Sequence, residues 1–164
     1  MHGDLGTAPR QRRSGVPRLM LAGAMAAAVV LVDQVTKWWA LDRLSSGPIH
    51  VVGPLDLALS RNTGSAFSLF QGQEFLLVLV AGVLIAALAV MAWRAPTPAR
   101  ASIVGLVLGG ATGNLCDRLF RGDHGAVIDF VDLHFWPTFN VADAAITVGC
   151  VLVVGSLVRT PAFR

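Results

Sequence analysis

The sequence predicts a mainly α-helical polytopic membrane protein, with four transmembrane helices and a small extracytoplasmic β-sheet on the first outer loop. Composition is the first reason. Of 164 residues, 54% are hydrophobic and 14% charged, and the mean hydropathy is +0.64, whereas a soluble domain is charged at about 25% of its positions. The second is a set of four apolar runs, residues 19–41, 75–93, 101–120 and 141–158. Each is near the ~20 residues that a rise of about 1.5 Å per residue needs to cross roughly 30 Å of hydrocarbon, and lipid offers the backbone no partners, so each must be helical. The third is that Asp33, Lys37, Asn114, Asp117 and Asp143 lie in or against those runs. A charge there costs roughly 2.5–3.5 kcal/mol on insertion scales, so such residues face a protein interior and act there.

Taken in order, residues 1–18 are rich in Gly, Pro and Arg and are expected to be a disordered basic tail. Residues 19–158 are expected to form one membrane domain, followed by a short tail over 159–164. Basic residues before an Ala-rich apolar stretch also suit a cleavable signal peptide. The apolar run, however, continues into Asp33-Gln34-Val35-Thr36-Lys37-Trp38-Trp39, where the tryptophans suit an interfacial anchor. The loop over 42–74 carries strand signals: Leu55 to Ser60 alternates after Gly53-Pro54, and Ala66 to Phe70 follows the turn-like Asn62-Thr63-Gly64. The second run is free of charge. In the third, Gly105, Gly109 and Gly113 recur every fourth residue, a face suited to close helix packing. The second outer loop, 121–140, holds Asp123, His124, Asp129, Asp132 and His134, and Asn140 is a candidate N-cap for the fourth run. Cys116 and Cys150 fall inside runs and read as small buried hydrophobes, without a disulfide.

Four spans place both termini on one side. With the link 94–100, that side holds Arg10, Arg12, Arg13, Arg18, Arg94, Arg100, Arg159 and Arg164 against Asp4, a net +7, and the rest of the chain carries −4. The positive-inside rule puts the termini in the cytoplasm. Asp33, Lys37, Asn114, Asp117, Arg118, Asn140 and Asp143 then gather at one depth near the outer leaflet.

Asp33 and Lys37, four apart, share a helix face as an ion pair, and Asn114, Asp117 and Arg118 repeat the arrangement; a structural pair is the default for each, a polar cradle for substrate the alternative. Asp129 and Asp143 differ in having mostly apolar neighbours. Desolvated carboxylates have raised pKa values, and two brought together share a proton, the state an aspartic peptidase needs. From spacing alone Asp143 could equally be a capped carboxyl. Zinc binding by His124, Asp129 and His134 has no supporting motif, and Ser65 and Ser68 lack a nucleophile elbow. A proton-coupled transporter and a non-catalytic lipid-binding assembly protein stay open at this point. Against transport, the polar groups cluster at one depth and no inverted repeat is visible.

Five blocks in order, Asp33-Gln34-Val35-Thr36-Lys37, Asn62-Thr63-Gly64-Ser65-Ala66-Phe67, Gly113-Asn114-Leu115-Cys116-Asp117-Arg118, Ile128-Asp129-Phe130 and Phe139-Asn140-Val141-Ala142-Asp143, make the chain resemble the bacterial lipoprotein signal peptidases, the type II signal peptidase family. The resemblance implies a four-helix membrane aspartic endopeptidase of the bacterial cell membrane. Such an enzyme cuts diacylglyceryl-modified prolipoproteins before the lipidated cysteine and needs no cofactor or metal; the expected partners of the chain are these substrates and membrane lipids, with no nucleic acid, and the expected state is a monomer. It assigns the catalytic dyad to Asp129 and Asp143, and substrate-binding or supporting roles to Asp33, Lys37, Asn62, Gly64, Asn114, Arg118, Asn140 and Ala142. Ile128 stands where valine is common in the family, and the arginine-rich tail is longer than the family leads one to expect.

Overall fold

A computed structural model describes residues 15–63, 74–121 and 125–158. In chain order these form α1 (Val16–Arg43), β1 (Ile49–Val52), β2 (Leu55–Asn62), α2 (Glu74–Trp93), α3 (Pro98–Phe120), β3 (Val127–Asp132) and α4 (Val141–Val158). The four helices coincide with the four apolar runs, and α4 has the expected bounds. Helix α1 starts earlier than expected, with Pro17 in its first turn, so the last three residues assigned to the tail are helical. Helix α3 starts where Thr97 turns extended and its side chain accepts the Arg100 N–H at 3.2 Å, with Pro98 at the first helical position. By length and hydropathy alone, Val16–Arg43 and Phe75–Trp93 can cross a membrane, and Val141–Ser156 is a shorter apolar helix.

Helix α3 is the hub, packed against α1, α2 and α4. Its glycines explain the closeness to α1. A Cβ at Gly105 would come 2.6 Å from the Ala22 carbonyl oxygen, one at Gly109 2.7 Å from the Val29 Cβ, and one at Gly113 2.6 Å from a carboxylate oxygen of Asp33. The predicted glycine face is therefore the α1 contact, and its last member seats a charged side chain. At one end of the bundle Ala22, Ala92, Ala95, Ala101 and Val104 pack together.

At the other end lies an antiparallel sheet in the order β1-β2-β3. Gly53, at φ 55°, makes the β1–β2 turn. Leu57, Leu59, Phe130 and Val131 of the sheet cover Ala40 and Leu44 from the end of α1 and Val141 from the start of α4. The expected sheet differs in one respect: β3 comes from the second outer loop, so the sheet joins both loops. A strand needs ladder partners, and β2 supplies them to Val127–Asp132 by a pairing distant in sequence that local alternation does not encode. The expected strand over residues 66–70 lies outside the described residues.

Candidate active site

Beneath the sheet, polar side chains from α1, α3, β3 and α4 meet. Lys37 is fully buried, and its ammonium lies 2.8 Å from Asp33 Oδ2 and 2.8 Å from Asp117 Oδ2 while donating to Asn114 Oδ1 at 2.9 Å. All three Lys37 donors are thus used, and the two carboxylates are also fully buried. Asp33 Oδ1 accepts the Ala142 N–H at 3.0 Å and ties α1 to the first turn of α4. Asp117 Oδ2 accepts the Ile128 N–H at 3.1 Å and ties α3 to β3, and its Oδ1 takes Arg121 Nε at 2.7 Å. Gln34 closes the ring, donating to Asp117 Oδ1 at 3.0 Å and accepting from Arg121 at 2.9 Å. Removing the ammonium would leave buried charge uncompensated, so this cluster is held as a unit.

Asp129 and Asp143 sit beside it; among the described residues the buried ion pairs of this region fall on Asp33 and Asp117. Asn140 links the two. Its Nδ2 donates to Asp129 Oδ1 at 2.7 Å, and its Oδ1 accepts the Asp143 N–H at 2.9 Å. The Asp143 carboxylate reaches back to the Asn140 N–H at 3.3 Å, a reciprocal cap that opens α4. Asn114 Nδ2 donates to Asp143 Oδ1 at 2.8 Å, while its Oδ1 accepts from both Lys37 and Asn140. Asn62, at the end of β2, hydrogen-bonds Asp129. Desolvation pushes the Asp129 carboxyl up to about 6, helped by the charge of Asp143 and opposed by the hydrogen bonds from Asn62 and Asn140 and by the charge of Lys37. Asp129 is 1% exposed, whereas Asp143 is half-buried and lines an apolar groove of about 380 Å³ with Phe135, Trp136, Phe139, Ala144 and Val148.

Of the residues singled out in the sequence, Asp33, Lys37, Asn62, Asn114, Asn140, Ala142, Asp129 and Asp143 converge here; Gly64 lies outside the described residues. Arg118 is present and feels the charges of Asp117, Asp143 and Asp129, but the ion pairs of Asp117 are made by Lys37 and Arg121. One of its amines donates to the Asn114 carbonyl at 3.3 Å, and its buried Nε has no hydrogen-bond partner among the described residues. The cations on Asp117 are Arg121, four residues on, and Lys37 from another helix. Gln34 and Arg121 were missed, although Asp117 and Arg121 stand at ion-pair spacing. His134 faces away from Asp129 and lies 3.2 Å from Asp56, which His50 approaches at 2.7 Å from the other side.

A sequence-family model described as Signal peptidase (SPase) II matches residues 25–159. Among curated relatives, a lipoprotein signal peptidase of Mycolicibacterium smegmatis is 42% identical over 84% of this chain and 60% of its own length. One of Mycobacterium avium is 39% identical over 90% of this chain and 83% of its own, and one of Syntrophomonas wolfei is 42% identical over 77% and 85%. In three dimensions the chain is similar to a bacterial membrane enzyme solved by the in meso method, with a TM-score of 0.76 and 26% identity over 85% of this chain and 93% of the other.

Proposed function

The chain belongs to the signal peptidase II family, a membrane peptidase family of lipoprotein processing, and from that premise we propose that it is an aspartic endopeptidase whose dyad is Asp129 and Asp143. The observation that carries this reading is the contrast beneath the sheet: two carboxylates joined through Asn140 and held by amides, beside two others paired with Lys37 and Arg121. Two such carboxyls share a proton. The ionised one takes a proton from water as the water oxygen attacks the scissile carbonyl carbon, and the protonated one donates to the carbonyl oxygen. When the C–N bond breaks, the proton passes to the leaving amine, which becomes the new N-terminus. Asn62, Asn114 and Asn140 hold the carboxyls, Asp33, Lys37 and the Ala142 N–H brace the α1–α4 contact, and the Nε of Arg118 is a donor left for substrate. Gly64 retains its expected substrate-side role.

The substrate is a diacylglyceryl-modified prolipoprotein, cut before the lipidated cysteine. A signal peptide's apolar segment is a membrane helix, so its scissile bond arrives at an interface, and the groove of Phe135, Trp136 and Phe139 beside Asp143 offers apolar surface at that point. All four helices are spans of a single domain over residues 19–158. α3 tolerates its charges because they face α1, α4 and the sheet. Both termini are cytoplasmic and the dyad is extracytoplasmic, and one chain carries the whole site as a monomer.

The test is cleavage of a prolipoprotein in detergent, with and without its diacylglyceryl group, read by gel shift and mass spectrometry. Each buried methylene contributes about 0.8 kcal/mol, so the lipidated precursor is expected to be cut at least about 100-fold faster, releasing a product that begins at the lipidated cysteine. Equal cleavage of the two forms would contradict the lipid requirement, and cleavage elsewhere would contradict the substrate assignment.

A further inference from the structure

At the opposite end of the bundle from the dyad, a second cavity of about 280 Å³ opens between the end of α2, the 94–97 turn, α3 and the last turns of α4. Its lining is apolar at Val90, Met91, Ile103, Val104 and Val153 and basic at Arg94 and Arg100. Arg100 is fixed there, donating to the Ser156 carbonyl at 3.0 Å near the end of α4. Val90 is one turn from Arg94 and Val104 one turn from Arg100, about 6 Å along each helix. One part of the lining is therefore cationic and the next hydrocarbon-like, stacked in the order of a phospholipid's phosphate and acyl chain.

Residues 5–32, 75–116 and 144–164 contain no Asp or Glu, while they hold Arg10, Arg12, Arg13, Arg18, Arg94, Arg100, Arg159 and Arg164. Basic pockets between helices at the headgroup level bind anionic lipid headgroups. We propose that this cavity binds one anionic glycerophospholipid of the bilayer, its phosphate held between Arg94 and Arg100 and one acyl chain lying against Met91, Ile103 and Val153. Such a lipid would join α2, α3 and α4 at the end of the bundle opposite the ion network under the sheet.

The experiment is thermal unfolding of the purified chain in nonionic detergent with added phosphatidylglycerol, phosphatidylcholine or inorganic phosphate. Phosphatidylglycerol at saturation is expected to raise Tm by about 5 °C, and the other two to leave it unchanged. Arg94→Gln, at an exposed position, is expected to remove most of that rise. Met91→Trp, which fills the apolar wall and spares both arginines, is expected to do the same. Arg18→Gln, a charge at the same end but outside the cavity, is expected to keep it. An equal rise with phosphatidylcholine or with phosphate, a full rise in Arg94→Gln or Met91→Trp, or an equal loss in Arg18→Gln would each overturn the proposal.

Discussion

Two carboxylate pairs lie within one polar cluster of this molecule and are treated in opposite ways. Asp33 and Asp117 share an ammonium 2.8 Å from each and are fully buried; the other oxygen of Asp33 accepts the Ala142 N–H, and that of Asp117 accepts from Arg121 and Gln34. Asp129 and Asp143 receive amides in place of cations, and Asp143 opens toward a groove. The first pair, compensated by cations, binds α1, α3, α4 and β3 together. In the second pair desolvation and the charge of Asp143 raise the Asp129 carboxyl to about 6, close to the range where it can exchange a proton. The stability of the first carries the cost of the second, which amides alone leave under mutual repulsion.

Breaking the first pair is expected to have the largest effect on stability. Lys37→Met leaves the buried Asp33 carboxylate uncompensated and Asp117 with Arg121 alone, and is expected to destabilise by about 3–5 kcal/mol, measured by thermal unfolding in detergent. If Lys37→Met unfolded at the wild-type temperature, the bracing role would fail. Asn140→Ala strikes the junction of the two pairs. Loss of the cap costs about 1 kcal/mol, and release of both dyad carboxyls is expected to lower kcat/KM by about 100-fold, an activity loss out of proportion to the stability loss.

The pH dependence sharpens the contrast from the other side. The Asp129 carboxyl titrates higher in the folded chain than unfolded, so its contribution to stability is complete below the ordinary value of 3.8 and is lost as pH rises through about 6. Asp129→Asn escapes that loss, so its Tm relative to wild type is expected to climb between about pH 4 and about pH 7. Wild-type kcat/KM is expected to fall as pH rises above about 6 and the pair gives up its shared proton. A Tm difference independent of pH would mean that Asp129 is not desolvated. The smallest effect is expected on the far face of the sheet. Asp56→Asn, which loosens His50 and His134, is expected to change stability by about 0–1 kcal/mol, because exposed pairs contribute little.

Much of this was legible in the sequence because helices and caps are local. The four apolar runs became the four helices, the spacing of Gly105, Gly109 and Gly113 became the α1 contact, and Asn140 caps α4 as its residue type suggests. What stayed hidden depends on contacts between elements. Spacing paired Lys37 with Asp33 correctly, but its second carboxylate, Asp117, comes from another helix. Asn114, Asp117 and Arg118 were grouped by three- and four-residue spacing, and Arg118 does reach the Asn114 carbonyl, but the cation that pairs with Asp117 from its own helix is Arg121, one turn on. Strand β3 was read as loop because its partner β2 lies far back along the chain, and Asn62 and Asp129 meet only through that pairing.

The most direct test sets the two pairs against each other in one preparation, measuring cleavage of lipidated prolipoprotein and Tm for Asp129→Asn, Asp143→Asn and Asp33→Asn. The account predicts that Asp129→Asn and Asp143→Asn each lose about 1,000-fold or more in kcat/KM, with Asp129→Asn at or above the wild-type Tm at neutral pH, while Asp33→Asn loses chiefly stability. Cleavage that survived in a folded Asp129→Asn or Asp143→Asn variant would contradict it and move the catalytic groups elsewhere.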